Sequence, residues 1–180
     1  MTMPTKAQIF THWMDWLDKR GFDWGEPCCW ACKCYLDDKY DLNKPSATRE
    51  EIIKNWERAP LQRCHIIARQ FGGEDIPDNL FLMCKSCHDR APNTKSRGSF
   101  LDWVEKQDYT SLVQEDIMRE LRNFELLDCI DDVNKMLADK ELMKRFFNNS
   151  GFHMNQARGG SEITLSSIFV QIAEELKRRE

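Results

Sequence analysis

The chain has 180 residues, room for one sizeable core or a small catalytic module with helical additions, and one compact unit is expected. An apolar content of 41% excludes the composition of a disordered chain, and a formal net charge of -4 excludes a protein that holds polyanions by bulk charge alone. The N-terminus carries no apolar targeting segment and no stretch approaches the ~18 apolar residues of a membrane span, so no membrane partner and a cytoplasmic location are expected.

Residues 5–20 place Ile9, Trp13, Trp16 and Leu17 on one helical face and end at Lys19-Arg20-Gly21, a basic last turn followed by a capping glycine. From Phe22 to Pro60 the periodicity breaks up: cysteines gather at 28–34, Pro45 and Ser46 punctuate, and Arg49 to Trp56 reads as a short helix. A strand is predicted at Cys64 to Ala68, a loop at Gly72-Gly73, a second strand at Leu80 to Met83, and a helix after Cys84. Beyond Pro92 the pattern is helical. Val113, Ile117, Leu121 and Phe124 form one stripe, Val133, Met136, Leu137, Met143 and Phe147 a second, and Leu165, Ile168, Phe169, Ile172 and Leu176 a third, all read as core.

Charge is unevenly spread. Residues 1–57 carry 8 basic against 10 acidic side chains and 98–180 carry 11 against 16, whereas 58–97 carry 7 against 4. Only the middle segment offers phosphate a positive surface, through Arg63 and Arg69 on and after the first strand and Lys85, Arg90, Lys95 and Arg97 around the following helix.

Most of the eight cysteines come in close pairs, which suits metal ligation in a reducing compartment better than a disulfide framework. Cys29-Trp30-Ala31-Cys32 and Cys84-Lys85-Ser86-Cys87 can each present two thiolates to one tetrahedral ion, so Cys29, Cys32, Cys84 and Cys87 are the expected zinc ligands. Four thiolates leave no open position, so this zinc is structural. Cys28 or Cys34 can replace Cys29 or Cys32, with the 29/32 pair preferred on spacing, and Cys129 is read as a buried small hydrophobe.

The stretch LQRCHIIARQFGGEDIPDNLFLMCKSCHDRAPN joins a strand-borne His65, Gly72-Gly73, Asn79 before Leu80, and Cys84-x-x-Cys87-His88 in one order. It resembles the HNH, or ββα-metal, endonuclease motif, and the resemblance covers residues 28 to about 97. The resemblance implies an α+β fold: a ββα-metal module at 28–97 stapled by zinc, an N-terminal helical extension at 1–27 and a helical C-terminal region at 98–180. It also implies hydrolysis of double-stranded DNA leaving a 5′-phosphate, with catalytic His65, Asn79 orienting the His65 ring, and His88 holding a divalent catalytic metal. Chemistry supports the first role independently, because a neutral imidazole titrating near operating pH is a suitable acceptor for the proton of an attacking water. His88 can alternatively ligate the structural zinc.

One departure from the motif is Cys64, where many members carry Asp or His as a second metal ligand. A thiolate suits magnesium poorly, so either Gln62, Glu74, Asp75, Asp78 or Asp89 substitutes or the site takes a softer ion such as manganese. A restriction-type enzyme is the favoured role, given additions for recognition or dimerisation and no appended motor domain; a homing or phage-type nicking enzyme follows. A non-catalytic zinc module that binds nucleic acid or protein is the rival from another class, and redox sensing by Cys28, Cys29, Cys32 and Cys34 a third. A homodimer is expected if both strands are cut, and His153, Asn155, Gln156 and Arg158 are candidates for reading base edges.

Overall fold

The first helix begins where Thr5 caps it. Thr5 Oγ1 accepts from the Gln8 N–H at 3.1 Å while Gln8 Oε1 accepts from the Thr5 N–H at 2.9 Å, and this reciprocal box sets α1 as Lys6–Lys19. At the far end Gly21 takes a φ of 68° and the Phe22 N–H reaches back to the Leu17 carbonyl at 3.1 Å, a Schellman turn at the predicted glycine. The computed structural model describes residues 2–36, 38–42, 46–151, 153–155 and 160–179. Within it α1 buries Ile9, Phe10, Trp13, Met14 and Leu17, with Trp16 half-buried at the margin of that face. A second helix, α2 (Arg49–Arg58), has the same kind of box between Thr48 and Glu51 and lies against α1 through a stacked Phe10–Trp56 pair 4.5 Å apart.

Two short antiparallel strands follow, β1 (Gln62–His65) and β2 (Leu80–Met83), in the register Gln62↔Met83, Arg63↔Leu82, Cys64↔Phe81 and His65↔Leu80. The first strand sits earlier than the predicted Cys64 to Ala68. The chain leaves the ladder after Ile66 because the Ala68 N–H pairs instead with the Thr94 carbonyl at 3.1 Å and residues Arg69–Phe71 coil into a 3-10 turn. Strand β2 is buried at every position. Phe81 is the hub of that burial, with Trp13, Trp16, Trp30 and Phe100 set edge-on around it at 5.0 to 5.8 Å. Helix α3 (Lys85–Arg90) leaves β2 directly, and α4 (Arg97–Glu105) brings in Phe100. The result is the expected α+β, ββα arrangement.

The connection between the strands turns on Gly73. A Cβ built there would lie 1.7 Å from the Ile67 carbonyl oxygen and 2.9 Å from Asn79 Nδ2, so only glycine lets the loop close on the end of β1.

The chain divides into two units, Met1–Tyr109 and Thr110–Glu180, rather than the one expected. The reason lies in the C-terminal stripes, which pack on one another. Helices α5 (Tyr109–Asn123), α6 (Ile130–Ala138), α7 (Lys140–Asn149) and α8 (Leu165–Arg179) bury Leu121, Leu126, Val133, Met136, Phe146 and Ile172 in a core of their own. The second stripe is shifted from its predicted line: Leu142 and Phe146 are buried, while Leu137 and Phe147 are exposed. Asp139 causes the shift. Its carboxylate accepts from the Glu141 and Leu142 N–H groups and starts a new helix, which rotates the register that a continuous helix would keep. Leu165, also predicted as core, is exposed at the first position of α8. A small pair, β3 (His153–Asn155) and β4 (Gly160–Glu162), precedes α8; His153 and Asn155 belong to β3, and Gln156 and Arg158 lie outside the described residues. No described helix is long and apolar enough to cross a membrane.

Two glycine variants separate crowding from backbone conformation. Gly73→Ala is expected to cost about 3 kcal/mol or more through overpacking. Gly21→Ala, with open space around the new Cβ, is expected to cost about 1 kcal/mol from its left-handed φ alone. Chemical denaturation of the two proteins side by side checks the difference.

Candidate active site

Strand β1 ends on His65, and pleating puts Arg63 on the same face. The ring of His65 is held by a carboxylate ten residues later: His65 Nε2 lies 2.8 Å from Asp75 Oδ1. Asp75 is itself gripped by the Arg69 guanidinium, Nε to Oδ1 at 2.9 Å and Nη2 to Oδ2 at 2.6 Å. The hydrogen bond from His65 and the Arg69 fork hold the Asp75 carboxyl below the usual carboxylate range. An ionised carboxylate can only accept, so Nε2 carries a proton toward Asp75, and in a neutral ring Nδ1 is the nitrogen with the lone pair.

Asn79 does something other than the expected ring contact. Its side chain is buried, its Oδ1 accepts from the Ile67 N–H at 2.9 Å, and its Nδ2 donates to the Ile67 and Glu74 carbonyls, each at 3.0 Å. The Asn79 carbonyl already accepts from the Ile66 N–H at 2.9 Å, which aims the side chain at the loop rather than at the imidazole. Asn79 therefore ties both ends of the glycine loop and sets the position of Asp75, and through Asp75 that of His65.

His65 opens onto a cleft of about 410 Å³ whose other walls include Cys64, Arg69, His88 and Asp89. His88 Nδ1 is buried without a hydrogen-bond partner, and the nearest carboxylate, Asp89 Oδ1, stands 3.5 Å away. An orphaned ring nitrogen beside a carboxylate is a donor set that fits a divalent cation. Cys64 fits one poorly, because burial pushes its thiol up to about 11 and keeps it neutral. Among the candidate oxygen donors, Asp75 is held by His65 and Arg69, Asp78 by Arg97 and His12, and Asp89, whose Oδ2 is paired with Lys85, is the one that lines the cleft.

The basic residues separate into groups. Arg69 lines the cleft with an exposed guanidinium, Arg90 and Lys95 are exposed, and Lys85 pairs with Asp89 at 2.6 Å. Arg63 lies 3.9 Å from Glu57 and its Nε is buried without a partner. Arg97 is structural: its fork holds Asp78 at 2.8 and 3.0 Å and its guanidinium lies over the Trp13 ring.

The cysteines meet at the start of α3. The ligand atoms of Cys29, Cys32, Cys34 and Cys84 all lie within 4.8 Å of one another, a set that can hold zinc. Cys34 thus joins the group, and the predicted Cys87 lies beside it on α3, its N–H donating to Cys84 Sγ at 3.5 Å. Lys33 explains Cys34. A φ of 59° at Lys33 folds the chain back, so that the Cys29 N–H pairs with the Cys34 carbonyl at 3.3 Å. Hydrogen bonds from neighbouring thiols, that of Cys29 first, hold Cys32 and Cys84 well below the ordinary thiol range. Cys28 is half-buried, and burial pushes its thiol up to about 12; Cys129 is half-buried too, not the buried hydrophobe expected.

The HNH endonuclease family model matches residues 51–94. The HNH segment so defined runs from α2 through both strands to the end of α3, and it contains His65, Asp75, Asn79, His88, Cys84 and Cys87. The Cys29–Cys34 turn falls outside it. No curated protein and no solved structure matches the chain.

Asp75 was hidden in the sequence among five unranked oxygen donors. The available signal was a carboxylate two residues beyond a glycine pair, on a loop that must return to the strand it left.

Chelation of the metal is expected to unfold the first unit, because the thiols clamp residues 29–34 to α3. All six tryptophans lie in Met1–Tyr109, so a thermal melt followed by tryptophan fluorescence, with and without chelator, reads that unit alone.

Proposed function

We propose that the protein is a metal-dependent endonuclease that hydrolyses phosphodiesters of double-stranded DNA, with His65 as general base. The observation that carries this reading is the His65–Asp75 pair at the mouth of a cleft faced by His88. Asp75 fixes the tautomer, so Nδ1 of His65 is the atom that takes the proton of an attacking water. Asn79 and Gly73 hold the loop behind that pair. Arg69, on the cleft wall, would meet a phosphate oxygen, with Arg63, Lys85, Arg90 and Lys95 extending the positive surface. His88 and Asp89 would hold a magnesium or manganese ion, which when bound neutralises charge on the phosphate and the leaving 3′-oxygen.

A restriction-type role is the finer reading, with the helical unit after Tyr109 serving recognition or pairing of two copies. Double-strand cleavage by one site per chain makes a two-fold homodimer the simplest assembly. Sedimentation with and without DNA tests it, and a monomer under both conditions rules it out.

Plasmid cleavage with magnesium or manganese tests the chemistry. His65→Ala is expected to lose at least ~100-fold, since a positioned general base contributes 10²–10⁴-fold. Asp75→Asn is expected to lose about 10- to 100-fold, as outer partners of reacting groups do, with DNA binding retained. His88→Ala is expected to recover in part at high divalent-ion concentration. Undiminished cleavage by a folded His65→Ala protein would return the non-catalytic zinc module to first place.

A further inference from the structure

We propose that the cysteine cluster is a five-thiol zinc site in which Cys29, Cys32 and Cys84 are constant ligands and Cys34 and Cys87 share the fourth position. The proposal rests on the zinc reading above and goes beyond it, since a tetrahedral ion has one position fewer than the thiols gathered here.

The two candidates arrive by different routes. Cys34 is delivered by the tight turn at Lys33: the Cys29–Cys34 backbone pair and the Cys28↔Tyr35 bridge make a small antiparallel loop, in which Cys34 returns beside Cys29. Cys87 is delivered by α3, where its N–H donates to Cys84 Sγ at 3.5 Å. Both thiols are buried; Cys34 Sγ lies within 4.8 Å of the sulfurs of Cys29, Cys32 and Cys84, and Cys87 is tied to Cys84 through its N–H. The fixed part of the cluster already has the dimensions of a zinc site. Cys32 Sγ and Cys84 Sγ are 3.9 Å apart, against an edge of about 3.8 Å for a tetrahedron with Zn–S bonds near 2.3 Å.

A spare buried thiol beside the ligands has a low-cost route into the coordination shell. As the bond from zinc to Cys87 breaks, a bond to Cys34 forms, and the thiol proton passes from Cys34 to Cys87. Charge and proton count at the site are unchanged, so neither arrangement requires a counter-ion to enter the core. The exchange also makes the site tolerant: loss of one of the two thiols leaves four.

The test is spectroscopic and uses the full chain. In wild-type protein loaded with cadmium-113, correlations from the metal to cysteine Hβ protons are expected for Cys29, Cys32 and Cys84 and for both Cys34 and Cys87. Correlation to only one of the last two overturns the proposal without touching the zinc reading. Cobalt titration of variants gives a second readout. Cys34→Ser and Cys87→Ser are each expected to bind one cobalt with a four-thiolate spectrum, and the double variant to lose the four-thiolate spectrum. A three-thiolate spectrum in either single variant overturns the shared position. A wild-type protein that binds neither metal removes the zinc reading itself, and the proposal with it.

Discussion

A hairpin of two four-residue strands does not hold together alone in water, and His65 stands at the end of such a hairpin. Strand β2 is therefore supported on every side. One edge pairs with β1, and the other receives the Trp30 N–H at the Leu82 carbonyl, 3.0 Å away, from the turn that carries Cys29 and Cys32. Its buried side chain Phe81 is packed by aromatic rings from α1, the cysteine turn and α4. Trp13 adds polar contacts at the start of the strand, its Nε1 donating to the Pro77 and Leu80 carbonyls at 3.0 Å each. Removing any one support loosens the strand whose partner ends in the imidazole.

The placement of that imidazole is a chain of short-range constraints. Gly73 permits the loop to approach Ile67; Asn79 then bonds the Ile67 backbone on one side and Glu74 on the other; Asp75, next in sequence, is thereby brought to His65. Each contact is between neighbours in space that are five to twelve residues apart in sequence. All of these residues lie within the segment that the family model matches, so the geometry at His65 is a property of that segment and its direct supports.

Features governed by local rules were legible in the sequence. The amphipathic period and glycine cap of α1, the second strand, and the paired cysteines all follow from residues within a few positions of one another. Features set by how segments meet were not. Arg97 reads as a surface cation until Asp78 and Trp13 are brought to it, and Asp75 reads as one carboxylate among several until the loop closes. Cys34 does not stand out in the sequence, because its approach needs a left-handed residue at position 33, where the chain has lysine rather than the glycine or asparagine that advertises such a turn. The start of α7 is hidden in a similar way: Asp139 caps a helix inside what reads as an unbroken apolar period.

Helix α3 links the two sites. It has six residues, too few for its own hydrogen bonds to fix its direction, so its direction is set by what anchors it. Cys84 caps its start and accepts from the Cys87 N–H beside the thiol cluster, while the next residue, His88, is turned about 100° around the axis and lines the cleft with His65. Consecutive side chains on one short helix thus line the thiol cluster and the cleft. Anchoring Cys84 and Cys87 beside the other thiols holds the helix that brings His88 to the cleft. The cluster is then more than a staple for the N-terminal turn. Through Cys84 at the helix start, which both of the ligand arrangements proposed above keep bound, it also anchors the helix that carries His88.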